Sequence, residues 1–144
     1  MSEQPKDILS EKIIGLCFEV HNKLGPGFPE KVYHNALIIL LKKHKITYES
    51  EKQYFVRFEK EKVGEFRCDL VIQNELIIEL KTVEGNMPKL FTDKLIAYLT
   101  ASELSRGLIV NFGNESCVIK RVSNKKNLDQ MKVYYLCNQM PLSV

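Results

Sequence analysis

The sequence predicts a single α/β domain whose mixed central sheet is flanked by helices. Three observations predict it. Apolar residues recur at helical spacing over Ile8–Leu24 and again from about Pro29 to His44. The period then shortens toward two from Tyr54, and strand-like apolar runs follow up to Val83. A third helical stretch, about Pro88 to Leu104, separates those strands from two more, about Gly107–Phe112 and Cys117–Val122. Helix, helix, three strands, helix and two strands is the order of a sheet covered by helices.

Each element has its own reasons. Ile13, Ile14, Leu16, Cys17, Val20 and Leu24 stripe the first helix, and Gly25-Pro26-Gly27 ends it. Pro29 suits the first turn of the second helix, because the N–H it lacks would be unpaired there anyway. Val32, Tyr33, Ala36, Leu37, Leu40 and Leu41 form that helix's buried stripe. Tyr54, Val56 and Phe58 alternate with Phe55, Arg57 and Glu59 in the first strand, and Glu59 to Lys62 reads as a turn. The second strand covers about Gly64–Ile72, Gln73-Asn74 makes a tight hairpin turn, and the third strand covers about Glu75–Val83. Leu90, Phe91, Leu95, Tyr98 and Leu99 mark the third helix. Beyond Val122 the one strong apolar run is Val133-Tyr134-Tyr135-Leu136. Residues 1–144 are therefore read as one domain, with 1–7 a flexible tail and 123–144 a C-terminal extension.

Composition bounds the function. With 144 residues, 44% hydrophobic and 27% charged, the chain can bury a core without staples. No apolar run approaches the roughly 20 residues that cross a bilayer. Met1 to Asp7 lacks the apolar stretch of a signal peptide. A soluble, cytoplasmic protein with no membrane partner is expected. The net charge of +3 permits a nucleic-acid partner without demanding one, and clusters such as Lys42, Lys43 and Lys45 read as solvated surface. Cys17, Cys68, Cys117 and Cys137 form no Cys-x-x-Cys pair. Cys17 and His21, at i and i+4, could share a metal, but no second pair matches them, and a buried free thiol is the expectation.

The chemistry lies between Cys68 and Lys81. On a strand, Glu79 and Lys81 point to one side while Ile78 and Leu80 point to the other, into a core. The hairpin folds Asp69 back beside that strand, so two carboxylates and an ammonium converge at one sheet edge. Mg²⁺ takes hard oxygen ligands, commonly one or two carboxylates with water and substrate phosphate completing the shell. Asp69 and Glu79 are the candidate metal ligands, and Lys81 is the candidate to orient water or stabilise phosphate charge. An exposed Glu–Lys pair would read the same way from spacing alone. Glu30, in the first turn after Pro29, serves either as a fourth member or as a complement to the helix dipole. His34, one turn on, reads as a surface or supporting histidine.

Gly27-Phe28-Pro29-Glu30-Lys31-Val32-Tyr33, followed by Ala36-Leu37, resembles the signature of the small bacterial family named for its GxxExxY motif. Asp69, Glu79-Leu80-Lys81, Tyr98-Leu99 and the run Gly107 to Gly113 follow in that family's order, so the resemblance spans about Ile8 to Val122. It implies the restriction-endonuclease-like core of the PD-(D/E)XK nuclease superfamily. It also implies that Asp69, Glu79 and Lys81 are the motif residues, with Glu30 an additional acidic residue for metal. Cys68 stands where the superfamily's name has proline. Lys94 and Phe91 stand where the family has glutamine and, often, histidine. Lys94 and Tyr98 share a helix face and are candidate phosphate or substrate contacts; Tyr98 alone reads equally as a core aromatic with its hydroxyl at the rim.

The expected function is hydrolysis of DNA phosphodiesters, endonucleolytic and dependent on Mg²⁺ or Mn²⁺, with Asp69, Glu79 and Lys81 catalytic. The alternative is a non-catalytic nucleic-acid-binding or complex-subunit domain on the same scaffold. DNA is the expected partner, and a homodimer or an accessory protein is compatible with the sequence.

Overall fold

A computed structural model describes residues 7–124; the run Val133-Tyr134-Tyr135-Leu136 lies outside them. Asp7, read above as part of a flexible tail, caps the first helix, α1 (Ile8–Leu24), by accepting a hydrogen bond from Ser10 N at 3.1 Å. Helix α2 (Glu30–Lys43) starts one residue later than expected, with Pro29 as its extended N-cap. Its buried residues Tyr33, Leu37 and Leu41 repeat every four positions and so form one stripe.

The sheet has five strands in sequence order: β1 (Tyr48–Phe58), β2 (Glu61–Ile72), β3 (Leu76–Lys81), β4 (Arg106–Asn111) and β5 (Val118–Ser123). Helix α3 (Lys89–Ser102) crosses over between β3 and β4, the one parallel pair. The other three pairs are antiparallel. This is a mixed sheet with three helices among the described residues, the restriction-endonuclease-like α/β fold.

Two apolar layers sandwich the sheet. Leu70, Ile72, Leu76, Ile78, Leu80, Val110 and Phe112 pack with α1 and α2. Val71, Ile77, Ile109 and Val122 pack with Leu95 and Leu99 of α3 on the opposite face. Burial on both faces explains the near-continuous apolar runs of β3 and β4.

Three details differ from the pattern-based expectation. Strand β1 begins at Tyr48, six residues early, because Glu49, Ser50, Glu51, Lys52 and Gln53 of this edge strand are all polar and carry no apolar alternation to announce it. The turn before β2 is only Glu59-Lys60, both at positive φ (49° and 69°), so Glu61 and Lys62 already belong to the strand. Leu90, in the expected stripe of α3, is 68% exposed, because it sits in the first turn and faces away from the sheet.

Candidate active site

The site forms where β2 and β3 part. Their ladder runs from Ile72↔Leu76 to Leu70↔Ile78 and stops. The next step would pair Asp69 with Glu79, but the side chains take over the backbone's role. Leu80 N donates to Asp69 Oδ2 at 2.8 Å, and Asp69 N donates to Glu79 Oε1 at 3.3 Å. The backbone N–H groups left by the splay are thus satisfied by the two carboxylates.

A slip in β2 contributes. Leu70 joins the α1/α2 layer, yet both Cys68 and Val71 join the α3 layer, which strict alternation forbids. Opposite this point, between Ser50↔Leu70 and Lys52↔Cys68, Glu51 takes a φ of 53°. Asp69 sits at the kink. On β3 the alternation is regular: Ile78 and Leu80 face α1 and α2, so Glu79 and Lys81 share the side of Ile77 and α3.

Burial gives these groups their electrostatic character. Glu79 is 9% exposed; burial first, and then the Asp69 carboxylate beside it, push its pKa up to about 8. Glu30 reaches the same group from the start of α2. Its pKa is raised by burial and then by Asp69, against the opposing pull of Lys81 and Lys94. The Lys94 ammonium lies 5.6 Å from the centre of the Tyr98 ring. The Tyr98 hydroxyl, with Glu79 and Asp69 farther off, holds Lys94 above the ordinary lysine value. Lys81 Nζ lies 4.6 Å over the ring of Phe91. All six residues singled out from the sequence, Glu30, Asp69, Glu79, Lys81, Lys94 and Tyr98, therefore gather in one region from three separate elements and a helix N-terminus.

The supports of this region were less visible in the sequence. Tyr33 is fully buried, stacks on Phe112 at 4.5 Å, donates its hydroxyl to Gly25 O at 2.5 Å and accepts from Phe28 N at 3.2 Å. It clamps the loop in which Gly27 has a φ of 110°, a value that L side chains rarely adopt. That loop leads into Glu30. At the other end of the site, buried Asn111 accepts from Val83 N (3.0 Å) and Gly113 N (3.0 Å) and donates to Val83 O (2.9 Å). Asn114 does the same for Gly85 at 2.8 and 3.0 Å. The two asparagines pin the chain just after Lys81. The available signal was a polar Asn closing the apolar run Leu108–Val110.

The Cys17 thiol is buried and its pKa strongly raised, while His21 Nε2 is hydrogen-bonded to Asn114 O at 2.8 Å. His34 pairs with Ser50 Oγ at 3.1 Å, on the surface.

Among the described residues, no three His, Cys, Asp or Glu side chains already converge as a cage for an ion. The donor set nevertheless fits a divalent cation. Asp69 and Glu79 offer hard oxygens, and Mg²⁺ is commonly held by one or two carboxylates with water and phosphate supplying the rest. Burial and the neighbouring Asp69 carboxylate raise the pKa of Glu79, a shift that a cation held between the two would oppose.

Buried Glu79, half-buried Asp69 and Lys81 thus stand together where β2 and β3 part. The model of the PD-(D/E)XK nuclease superfamily matches residues 7–122, and the chain belongs to that superfamily. Among solved structures, the crystal structure of SSO0001 shares the fold with a TM-score of 0.54 at 17% identity, over 77% of this chain. The chain spans 59% of the length of that one. No curated relative matches the sequence. No helix among the described residues is long and apolar enough to cross a membrane.

Proposed function

We propose that this chain is a cytoplasmic nuclease of the GxxExxY type that hydrolyses DNA phosphodiester bonds endonucleolytically with Mg²⁺ or Mn²⁺. The observation that carries the reading is the pair of hydrogen bonds from Asp69 N to the Glu79 carboxylate and from Leu80 N to the Asp69 carboxylate, which sets two carboxylates side by side at the splay. Those two residues hold the cation, with Glu30 as helper. A cation held by these residues would supply Lewis-acid stabilisation of the phosphate and lower the pKa of a bound water. Lys81, on the same face as Glu79, orients that water or neutralises charge developing on the phosphate. Lys94 and the Tyr98 hydroxyl hold a neighbouring phosphate of the strand. Phe91 keeps Lys81 extended over its ring and shields one side of the ammonium from water.

A second reading has a specific observation behind it. Each carboxylate is already committed to a backbone N–H, and Lys94 and Phe91 stand where the family carries glutamine and histidine. A nucleic-acid-binding or complex-subunit domain without turnover fits those features. The deciding experiment titrates Mg²⁺ and Mn²⁺ into wild type and Asp69→Ala with plasmid, linear and branched DNA. Cleavage by wild type alone is expected. Tight binding without cleavage would move the chain to the second reading, and neither binding nor cleavage would leave only the fold.

A further inference from the structure

Three loops meet beyond the end of β3 and enclose a cavity of about 420 Å³. Gly27 and Phe28 come from the α1–α2 loop, Thr82 and Glu84 from the chain that leaves β3, and Asn114 and Glu115 from the β4–β5 loop. The cavity borders the candidate site at two points in the chain: Thr82 follows Lys81, and Phe28 stands two residues before Glu30. None of the six residues gathered at that site lines it.

The walls are held before anything binds. The Tyr33 hydroxyl accepts from Phe28 N at 3.2 Å, and the two rings meet edge to face with centroids 6.3 Å apart. Buried His21 holds Asn114 O through Nε2 at 2.8 Å, and the Asn114 side chain bonds Gly85 N and O at 2.8 and 3.0 Å. The β4–β5 loop is thereby tied both to α1 and to the chain after β3. Walls fixed in this way spare a ligand the cost of ordering them. The volume lies within the range of small-ligand sites.

The lining disfavours a phosphate and favours a base. No lysine or arginine contributes to it. Glu84 and Glu115 bring carboxylates that have no side-chain hydrogen bond or ion pair among the described residues. Phe28 leaves 47% of its surface exposed. An anion is repelled here, a flat group can stack on the ring, and the carboxylates accept N–H donors. A nucleobase with an exocyclic amino group offers the plane and the donors together, and a phosphodiester at Asp69 and Glu79 would carry one to the cavity mouth. A cation is a poorer fit, because no third His, Cys, Asp or Glu among the described residues joins the two glutamates.

We infer that this cavity receives one unstacked base, adenine, cytosine or guanine in preference to thymine, from the strand whose phosphate lies at Asp69 and Glu79. Phe28 stacks on the base, and Glu84 and Glu115 accept from its amino group. A base reaches such a cavity only out of its pair, so the substrate is single-stranded or opened at that point. The inference rests on the nuclease reading for the position of the strand, and its test lets the two fail separately.

Asp69→Ala protein is titrated with short fluorescent single strands of oligo-dC, oligo-dT and an abasic chain at several salt concentrations. The titration is repeated with Phe28→Leu, Phe28→Trp or Glu84→Ala/Glu115→Ala added. All three positions are surface ones, and melting curves check the fold of each variant. The parent is expected to bind oligo-dC several-fold more tightly than oligo-dT. Phe28→Leu, which keeps apolar bulk against Tyr33 but loses the plate, should weaken oligo-dC binding by about fivefold or more, the loss of one stacked base. Its salt slope and its binding of the abasic chain should not change, because no phosphate contact is lost. Phe28→Trp should restore the affinity, and the alanine pair should bring the ratio of oligo-dC to oligo-dT binding toward one. An unaffected Phe28→Leu, an equal loss on the abasic chain, or a ratio that ignores the alanine pair overturns the cavity. So does a Mg²⁺-dependent melting shift of the Asp69→Ala parent that the alanine pair abolishes, since that would make the cavity a cation site. Binding of duplex but of no single strand overturns the cavity and leaves the nuclease reading standing. Phe28-dependent binding of single strands, with no cleavage by wild type in Mg²⁺ or Mn²⁺, upholds the cavity and overturns the nuclease reading. If Asp69→Ala binds neither form, both fall.

Discussion

Replacing Glu79 by glutamine keeps the shape of the side chain and the carbonyl oxygen that accepts from Asp69 N, and removes only the charge. The folded protein holds a proton on Glu79 up to about pH 8, whereas an unfolded chain releases it near 4.5. Between those values folding takes up a proton, so the stability of the metal-free protein falls as pH rises through this window. It is lowest above the folded value, where the buried carboxylate is ionised in both states. Each pH unit is worth about 1.4 kcal/mol, which sets a ceiling of about 4 to 5 kcal/mol over the window. Glutamine carries no such cost. Metal-free Glu79→Gln should match wild type near pH 4.5 and exceed it increasingly toward pH 8, by several degrees in Tm per kcal/mol for a domain of about this size. The assay is urea and thermal unfolding of both proteins from pH 4.5 to 9 in chelator, followed by repetition with Mg²⁺ or Mn²⁺. The cation should restore stability to wild type and add nothing to the variant. Parallel stability curves, or a variant less stable than wild type at pH 8, would refute the claim that Glu79 is a strained buried carboxylate.

Lys81→Ala should lower turnover sharply while leaving cation-induced stabilisation largely intact, because its charge is used on the reacting phosphate; cleavage rates beside metal-shift melts check this. Tyr33→Phe removes the hydroxyl that joins Gly25 O to Phe28 N; unfolding should show a loss of about 1 to 2 kcal/mol, and the metal titration should weaken as Glu30 loosens. Gly113→Ala would put a Cβ 2.6 Å from Val83 N and 2.7 Å from Thr82 C, both backbone atoms that cannot swing away. A loss of about 2 to 4 kcal/mol is expected in denaturant melts, and a wild-type midpoint would contradict the close approach of the two chain segments there.

Much of this architecture could be read from residue order alone, and the reasons are physical. The helices announced themselves because each buries a single stripe, as Tyr33, Leu37 and Leu41 do on α2. β3 was legible because both its neighbours and both its faces are protein, so Ile77, Ile78 and Leu80 are all apolar and the charged Glu79 and Lys81 stand out. The outer hairpin was only half legible. Tyr48 to Gln53 is mostly polar, and its turn uses Glu59 and Lys60 at positive φ instead of the Asn or Gly that mark such turns. The kink at Asp69 was not legible at all, since a slip in alternation depends on Glu51 in the neighbouring strand. Asn111 was seen as part of a run and not as a clamp, because two of its three hydrogen bonds go to Val83, far from it in the sequence.

The kink, the splay and the asparagine clamp work together. A β2 that alternated regularly would continue its ladder past Leu70, and the N–H groups of Asp69 and Leu80 would then bond to backbone carbonyls. Asp69 and Glu79 would be released from the strand edge, with no reason to lie side by side. Once the strands part, those N–H groups need acceptors, and the two carboxylates are the nearest ones. The same two hydrogen bonds therefore satisfy the backbone at the splay and fix the carboxylates that a cation would use. Asn111 holds β3 against the consequence: with Val83 and Gly113 both tied to it, the end of β3 cannot follow Asp69 outward. Lys81, two residues before Val83, keeps its place beside Glu79 for that reason. The site depends on a fault in one strand being contained by its neighbours, so changes at Glu51 or Asn111 should disturb it as surely as changes to the carboxylates.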